Sequence, residues 1–289
     1  MGRQRMAEAG KAPKIVGTVA ELRSAVADYR RAGETLGFVP TMGALHEGHI
    51  ALVKQAQTLA DRVVVSIFVN PTQFAPNEDF SRYPRTFDAD VDKLAQAGCD
   101  LVYAPGREDM YPAGFSTGIS IAGPAQGLES DFRPHFFSGV AIVVAKLLLQ
   151  TAADVAVFGE KDYQQLRVVT QMARDLDLPV RIVPGPTVRE SDGLALSSRN
   201  RYLTPEERTV APVIHRALTT AAIAIKAGAV PDAAAAEAEA TIARAGLKVD
   251  YVAARNAETL APLASPDEPV RLLAAAWLGT TRLIDNIGV

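Results

Sequence analysis

From residue 35 to residue 183 the chain alternates short apolar, β-prone runs with longer stretches of helical periodicity, a rhythm that few architectures accept. Runs at 35–40, 62–69, 100–104, 154–158 and 180–183 read as strands. Segments near 48–60, 87–97, 138–151 and 163–175 read as the helices between them. Strands this uniformly apolar are covered on both faces, and intervening helices let them run parallel. The expected class is therefore α/β, a parallel sheet under helices. Upstream, Thr18 and Glu21 have capping-box spacing and open a helix to about Arg31. Ligands of such sheets bind beyond the carboxyl ends of the strands. The polar motifs here do follow strands: PTMG after the first, NPTQF after the second, GEKD after the fourth.

The pattern changes after Pro184-Gly185-Pro186. An Ala-rich helical region spans 205–245, its alanines at 220–245 expected to be exposed on one face, and strand-like KVDYVAA, VRLLAAAWL and TTRLIDN follow. This predicts a first domain over 1–187 and a smaller α+β domain over 188–289. With 289 residues, 48% hydrophobic and 22% charged, the composition is that of a globular protein able to bury a full core. A net charge of −3 argues against nucleic acid as the main partner, although local clusters still suit small anions. No run reaches the ~18 apolar residues of a membrane span. The head MGRQRMAEAGKAPK lacks a signal peptide's apolar core and reads as a frayed terminus. The single cysteine, Cys99, rules out an intrachain disulfide and suits a reducing cytoplasm. It reads as a small apolar residue between a helix and a strand.

The densest chemistry lies at residues 40–49, PTMGALHEGH. Gly43 allows a tight turn after the strand, and Gly48 leaves helix amides open to an anion. His46 and His49 fall one turn apart on the predicted helix, so both imidazoles face the same way and can donate to phosphate oxygens as charge builds. Alone, the HxGH tetrapeptide fits a polar helix cap with an incidental histidine pair equally well. Two of only four histidines fall here, which favours the phosphate site. Zinc metalloproteases instead space their histidines four apart around a glutamate.

In GEKDYQQL, Gly159 gives backbone access, Lys161 a mobile positive charge, and Asp162 an acceptor for a ribose, an amide or the lysine itself. Read alone, GEKD is more commonly a solvated turn with an ion pair. LSSRNRYL is compact and poor in secondary-structure signal. Its Ser197, Ser198 and Arg199 have the hydroxyls and guanidinium of a polyphosphate clamp, while an interdomain turn would look similar. Gln73 and Gln165, on two strand-following loops, are neutral donors suited to a carboxylate that must stay nucleophilic. In YPRTFDADVDKL, carboxylates at 88 and 90 either face Mg2+ or complement the dipole of the helix after Thr86, and Asp88 reads as the latter.

Taken in order, PTMGALHEGH, FVNPTQF, YPRT, FGEKDYQQL and TVRESDGLALSSRNRYL resemble the pantothenate synthetases, the pantoate–β-alanine ligases of the HxGH nucleotidyl-transferase superfamily, over about residues 18–286. The resemblance implies a Rossmann-like, doubly wound N-terminal domain, a smaller C-terminal lid, a homodimer, and ATP with Mg2+. It implies that the pantoate carboxylate attacks the ATP α-phosphate, releasing pyrophosphate, and that the β-alanine amine then displaces AMP from pantoyl adenylate. On the matching positions, Met42, Gly43, His46, His49, Gly159, Lys161, Asp162, Val188, Leu196, Ser197, Ser198 and Arg199 would bind ATP. His46, His49, Lys161 and Arg199 would be catalytic, with His49 the acid candidate. Gln73 and Gln165 would hold pantoate, Pro40 and Met42 would supply apolar surface for its gem-dimethyl group, and Asp90 would be the metal-side aspartate.

The chain departs from the family pattern at RPHFFSGV, where the usual form is RPxHFxGV: His135 fills the variable slot and Phe136 the histidine slot. That segment is therefore expected to serve packing. Lys93 stands where a glutamine often joins the metal-side network, and Ala89 replaces a polar residue. A transferase that stops at a nucleotide conjugate would share HxGH but would not need FVNPTQF and DYQQL. An aminoacyl-tRNA synthetase would need a basic RNA surface. A non-catalytic ATP-binding module would not need Lys161, both HEGH histidines and Arg199 together.

Overall fold

The computed structural model describes residues 12–74 and 79–289. In chain order its main elements are β1 (Lys14–Val16), α1 (Val19–Arg31), β2 (Leu36–Thr41), α2 (Glu47–Leu59), β3 (Arg62–Ile67), α3 (Phe87–Gln96), β4 (Leu101–Tyr103), α4 (Arg107–Met110), α5 (Glu129–Phe132), α6 (Phe136–Thr151), β5 (Val155–Gly159), α7 (Tyr163–Asp175), β6 (Arg181–Gly185), α8 (Pro205–Val210), α9 (Val213–Lys226), α10 (Pro231–Arg244), β7 (Lys248–Asn256), β8 (Val270–Leu278) and β9 (Thr281–Gly288). They form two compact units. One takes the described residues of Met1–Ile121 with His135–Glu160 and Val168–Gly185, and the other takes Ala122–Pro134, Lys161–Arg167 and Pro186–Val289.

The first unit is built on a six-stranded sheet of order β1-β4-β3-β2-β5-β6. Every pairing in it is parallel. From β2 the chain steps outward to β3 and β4, then crosses back to lay β5 and β6 on the other side. The switch of direction thus falls between β2 and β5, where a doubly wound sheet opens a crevice at its carboxyl ends. The runs that read as strands are apolar because they are buried: Val39, Val63, Val65 and Val157 pack with Val53 and Ala56 of α2 in one core cluster. Burying each such aliphatic side chain contributes about 1.5–3 kcal/mol. Thr18 caps α1 as its spacing predicts, its hydroxyl accepting from the Glu21 amide at 3.3 Å while Glu21 accepts from the Thr18 amide at 3.0 Å. Cys99 lies in the same core, and burial pushes its thiol up to about 12, which makes it inert.

The second unit carries the antiparallel sheet β7-β8-β9 and the helices α8, α9 and α10. Leu218, Ile242 and Leu272 are its fully buried anchors. Ala234, Ala235 and Ala238 of α10 face that core while Ala233, Ala236 and Ala240 are exposed, the one-sided pattern expected of the alanine runs.

Two sequence expectations need correction. Lys14, read as the last residue of a frayed head, begins β1, which pairs with β4 at the sheet edge; the head up to Lys11 lies outside the described residues. The LSSRNRYL segment, read as lacking regular structure, contains a 3-10 helix at Ser198–Tyr202, capped by the Ser197 hydroxyl accepting from the Arg199 amide. Among the described residues no helix is long and apolar enough to cross a membrane.

Candidate active site

In the first unit, β2 ends at Thr41 and the chain turns through Gly43 (φ 82°) and Ala44 (φ 51°) before entering α2. A positive φ is disfavoured for alanine, so something must hold the turn. Asp90, fully buried in the first turn of α3, does so: its Oδ2 accepts from the Ala44 amide and its Oδ1 from the Leu45 amide, both at 2.8 Å. The Thr86 hydroxyl donates to Oδ2 at 3.1 Å. A Cβ at position 43 would lie 3.2 Å from that same oxygen, so glycine is needed for space as well as for φ. Lys93, at the family's glutamine position, donates to the Leu45 carbonyl at 2.5 Å and closes the turn from the other end.

The histidines are not both helical. His46 is the N-cap of α2, with extended backbone, and only His49 lies inside the helix. The His46 Nδ1 accepts from the Gly48 amide at 3.2 Å, and the His49 Nδ1 accepts from the His46 amide at 3.3 Å. The rings approach to 4.1 Å between centroids. The opening amides expected to lie bare beside Gly48 are therefore taken up within the motif, the Gly48 amide by the His46 ring and the His49 amide by the His46 carbonyl. With each Nδ1 an acceptor of a backbone N–H, each neutral imidazole carries its proton on Nε2. The pair is preorganised as two Nε2–H donors beyond the end of β2.

Gln73 lies in the turn after β3 and donates to the Met42 sulfur at 2.9 Å, bringing two predicted substrate residues together. Its amide is oriented by Asn70, which the sequence reading did not single out. Asn70 Oδ1 accepts from the Tyr111 hydroxyl at 2.8 Å and the Thr72 amide at 3.3 Å, so its Nδ2 is turned to the Gly139 carbonyl and to Gln73 Oε1, each at 3.1 Å. Gln73 consequently presents N–H donors. Burial raises the Tyr111 phenol, which keeps it protonated as the donor in this chain. Pro40 sits in β2 beside Ser66, and Gly159 ends β5 paired with Gly185.

The second unit holds the remaining predicted residues. Lys161 and Asp162 form an ion pair at 3.7 Å, with Lys161 the less exposed partner. The Lys161 carbonyl accepts from Asn286 Nδ2 of β9 at 2.9 Å. The two glutamines of DYQQL divide: Gln164 is buried and bonds the Glu129 amide and the Pro124 and Gly127 backbone carbonyls, whereas Gln165, expected on a loop, is half-buried in the first turn of α7. Val188 and Leu196 face each other across a hairpin, the Leu196 amide donating to the Val188 carbonyl at 3.0 Å. Ser197, Ser198 and Arg199 follow directly, all half-buried. In the first unit, His135 is exposed at the N-terminal end of α6 with no side-chain cap bond, and the half-buried Phe136 meets Phe137 edge-on with ring centroids 5.0 Å apart. Among the described residues no group of three histidine, cysteine or acidic side chains could hold a metal ion.

The profile of the pantoate-beta-alanine ligase family matches residues 14–288. A pantothenate synthetase of Rhodopseudomonas palustris (strain HaA2) is 57% identical over 279 residues, covering 96% of this chain and 99% of that protein. The crystal structure of pantothenate synthetase from Thermus thermophilus superposes with a TM-score of 0.89 at 48% identity, covering 95% of this chain and 98% of that one. A pantoate-beta-alanine ligase of Francisella tularensis, crystallised with beta-gamma ATP and beta-alanine, gives a TM-score of 0.82 at 35% identity over 96% of this chain and 98% of its own. With the matched profile running from β1 to the end of β9 and the HxGH turn at the sheet's switch point, the chain belongs to the pantoate–β-alanine ligase family.

Proposed function

We propose that the chain joins pantoate to β-alanine in two steps, through a bound pantoyl adenylate. The observation that carries this reading is the His46–His49 pair, whose Nδ1 atoms are locked to backbone amides, so that each neutral imidazole keeps its proton on Nε2 as a donor. A pantoate carboxylate oxygen attacks the α-phosphorus of ATP and pyrophosphate leaves. The imidazole donors, with Lys161 and Arg199, act on the charge that builds on the phosphates, with His49 as the acid for the leaving group. The β-alanine amine then attacks the acyl carbon, AMP departs, and the amine's proton is lost as the amide forms.

Ser197 and Ser198 add hydroxyl donors to the triphosphate. Met42, Gly43, Gly159, Asp162, Val188 and Leu196 take the rest of the nucleotide. Gln73, its Oε1 held by Asn70 and its amide N–H on the Met42 side, and Gln165 hold the pantoate oxygens without neutralising the nucleophile, and Pro40 and Met42 meet its methyl groups. The Francisella ligase with bound nucleotide and beta-alanine supports both ligands for this chain. Among the described residues no cluster of side chains offers Mg2+ a site, and Asp90, the expected ligand, has both carboxylate oxygens engaged by the Ala44 and Leu45 amides. We assign Asp90 to shaping the turn. Family membership supports a homodimer, and the lone, buried Cys99 supports a cytoplasmic location.

Pantoate labelled with 18O in its carboxylate tests the reaction. One labelled oxygen should appear in AMP, carried across in the adenylate. Release of ADP with labelled inorganic phosphate would mean attack at the γ-phosphorus and would overturn the reading.

A further inference from the structure

We infer that Asn286, near the end of β9, is a positioning residue for Lys161, acting on the lysine's backbone and not on substrate. The inference rests on the role just proposed for Lys161.

The amide orientation of Asn286 is unambiguous. Its Oδ1 accepts from the Arg271 Nε at 2.7 Å and is also bonded by Arg271 Nη2, and arginine can only donate. The Nδ2 must therefore face the Lys161 carbonyl, which it meets at 2.9 Å. Arg271 is itself fixed, its guanidinium lying 3.9 Å over the Tyr163 ring, while the Tyr163 hydroxyl donates to the Ala257 carbonyl at 2.7 Å.

The strand offers a rigid point of attachment. Asp285, the preceding residue, faces the opposite side of the sheet and takes Arg189 in a bidentate pair at 2.7 and 2.8 Å. Arg189 also donates to the Gly193 carbonyl at 3.0 Å, closing the hairpin that leads into residues 196–199. Asp285 Oδ1 accepts from the Asn286 amide at 2.7 Å. One strand thus ties down the start of the Lys161 side chain from one face and the hairpin before the Ser197–Arg199 segment from the other.

The chemical reason follows from the residue. Lysine is a point charge on a four-carbon stem, and its ammonium can be aimed only as well as its Cα is held. Lys161 lies in a single 3-10 turn, Glu160–Asp162, where few intrahelical bonds fix the backbone. A carbonyl clamp supplies what the turn lacks. Displacement of a catalytic group by about 1 Å can cost 10²-fold in rate.

The test uses Asn286→Ala and Asn286→Asp, each alone and combined with Lys161→Ala, in the full chain. Single-turnover adenylate formation, pantoate KM and melting temperature are measured. Asn286→Asp keeps the Arg271 contact but turns an oxygen toward the Lys161 carbonyl. Each single variant should lose on the order of 10-fold to 10²-fold in adenylation, with pantoate KM within about 2-fold of the parent. In the Lys161→Ala background the same substitutions should cost less than about 2-fold, because the group they aim is gone. Losses that multiply in the two backgrounds, or a folded Asn286→Asp with parental turnover, would overturn the inference. So would failure of Asn286→Asp to fold, which would make Asn286 a residue of stability alone. A parent enzyme that forms no pantoyl adenylate would instead defeat the proposed function, before any variant is compared.

Discussion

Asp90→Asn separates a structural role of this carboxylate from a metal-binding one. Both oxygens are acceptors, of the Leu45 and Ala44 amides at 2.8 Å, in a position with no solvent exposure. Asparagine keeps one acceptor and sets an NH2 against the other amide, donor against donor. An orphaned amide in so dry a place costs about 1–3 kcal/mol, and the surviving bond falls from the charge-assisted to the neutral class, for a loss of about 2–4 kcal/mol. With a urea dependence near 3 kcal/mol/M, the unfolding midpoint should fall by roughly 1 M. Because the turn at residues 42–46 delivers His46, adenylate formation should fall as well, and raising Mg2+ should not restore it. A midpoint shift below roughly 0.3 M, with activity recovered at high Mg2+, would refute the reasoning and return Asp90 to the metal.

Gly139→Ala should destabilise the first unit by about 1–3 kcal/mol, because the new Cβ would lie 2.7 Å from the Thr72 carbonyl carbon. Pantoate KM should rise more than ATP KM, since Thr72 adjoins Gln73; equal changes in both would argue against a local effect. His135→Ala should leave turnover within about 2-fold of the parent, as the residue is exposed and caps nothing, and Phe136→Ala should cost less than the ~3–5 kcal/mol of a fully buried ring. Lost turnover in a stable His135→Ala variant would count against this assignment. Burial, then the charge of Arg189, hold His215 below its ordinary value near 6.5, against the pull of Asp285. The unfolded chain then binds the proton more readily, so His215 stabilises the fold above pH about 6.5, and that contribution is lost as pH falls toward its depressed value. His215→Gln should flatten this limb of a melting-temperature profile, and an unchanged slope would remove His215 as its source.

The fold was legible where local physics and global packing agree. Strands buried on both faces must be largely apolar, so β2, β3 and β5 stood out as LGFVPT, RVVVSI and VAVFG, and the Thr18–Glu21 box is a local device that needs no tertiary partner. β1 was not legible, because three residues become a strand only through pairing with β4, far along the chain. The histidine pair was visible as chemistry, but His46 as an N-cap was not, since Ser, Thr, Asp and Asn are the residues that usually cap helices. An aspartate in a first helical turn suits a dipole, a metal or a distant loop equally well, and only the folded chain brings Asp90 to Ala44 and Leu45. Asn70 and Asn286 lie within FVNPTQF and TTRLIDN, yet an asparagine's partners depend on which way its amide faces, and those partners are set by tertiary contacts.

The central claim is that pantoate is activated before β-alanine takes part, and exchange of labelled pyrophosphate into ATP tests it most directly. With pantoate present and β-alanine omitted, label should enter ATP, and omission of pantoate should abolish it. Label that enters ATP only once β-alanine is added would contradict a free-standing adenylation step, and with it the roles assigned to His46, His49, Lys161 and Arg199.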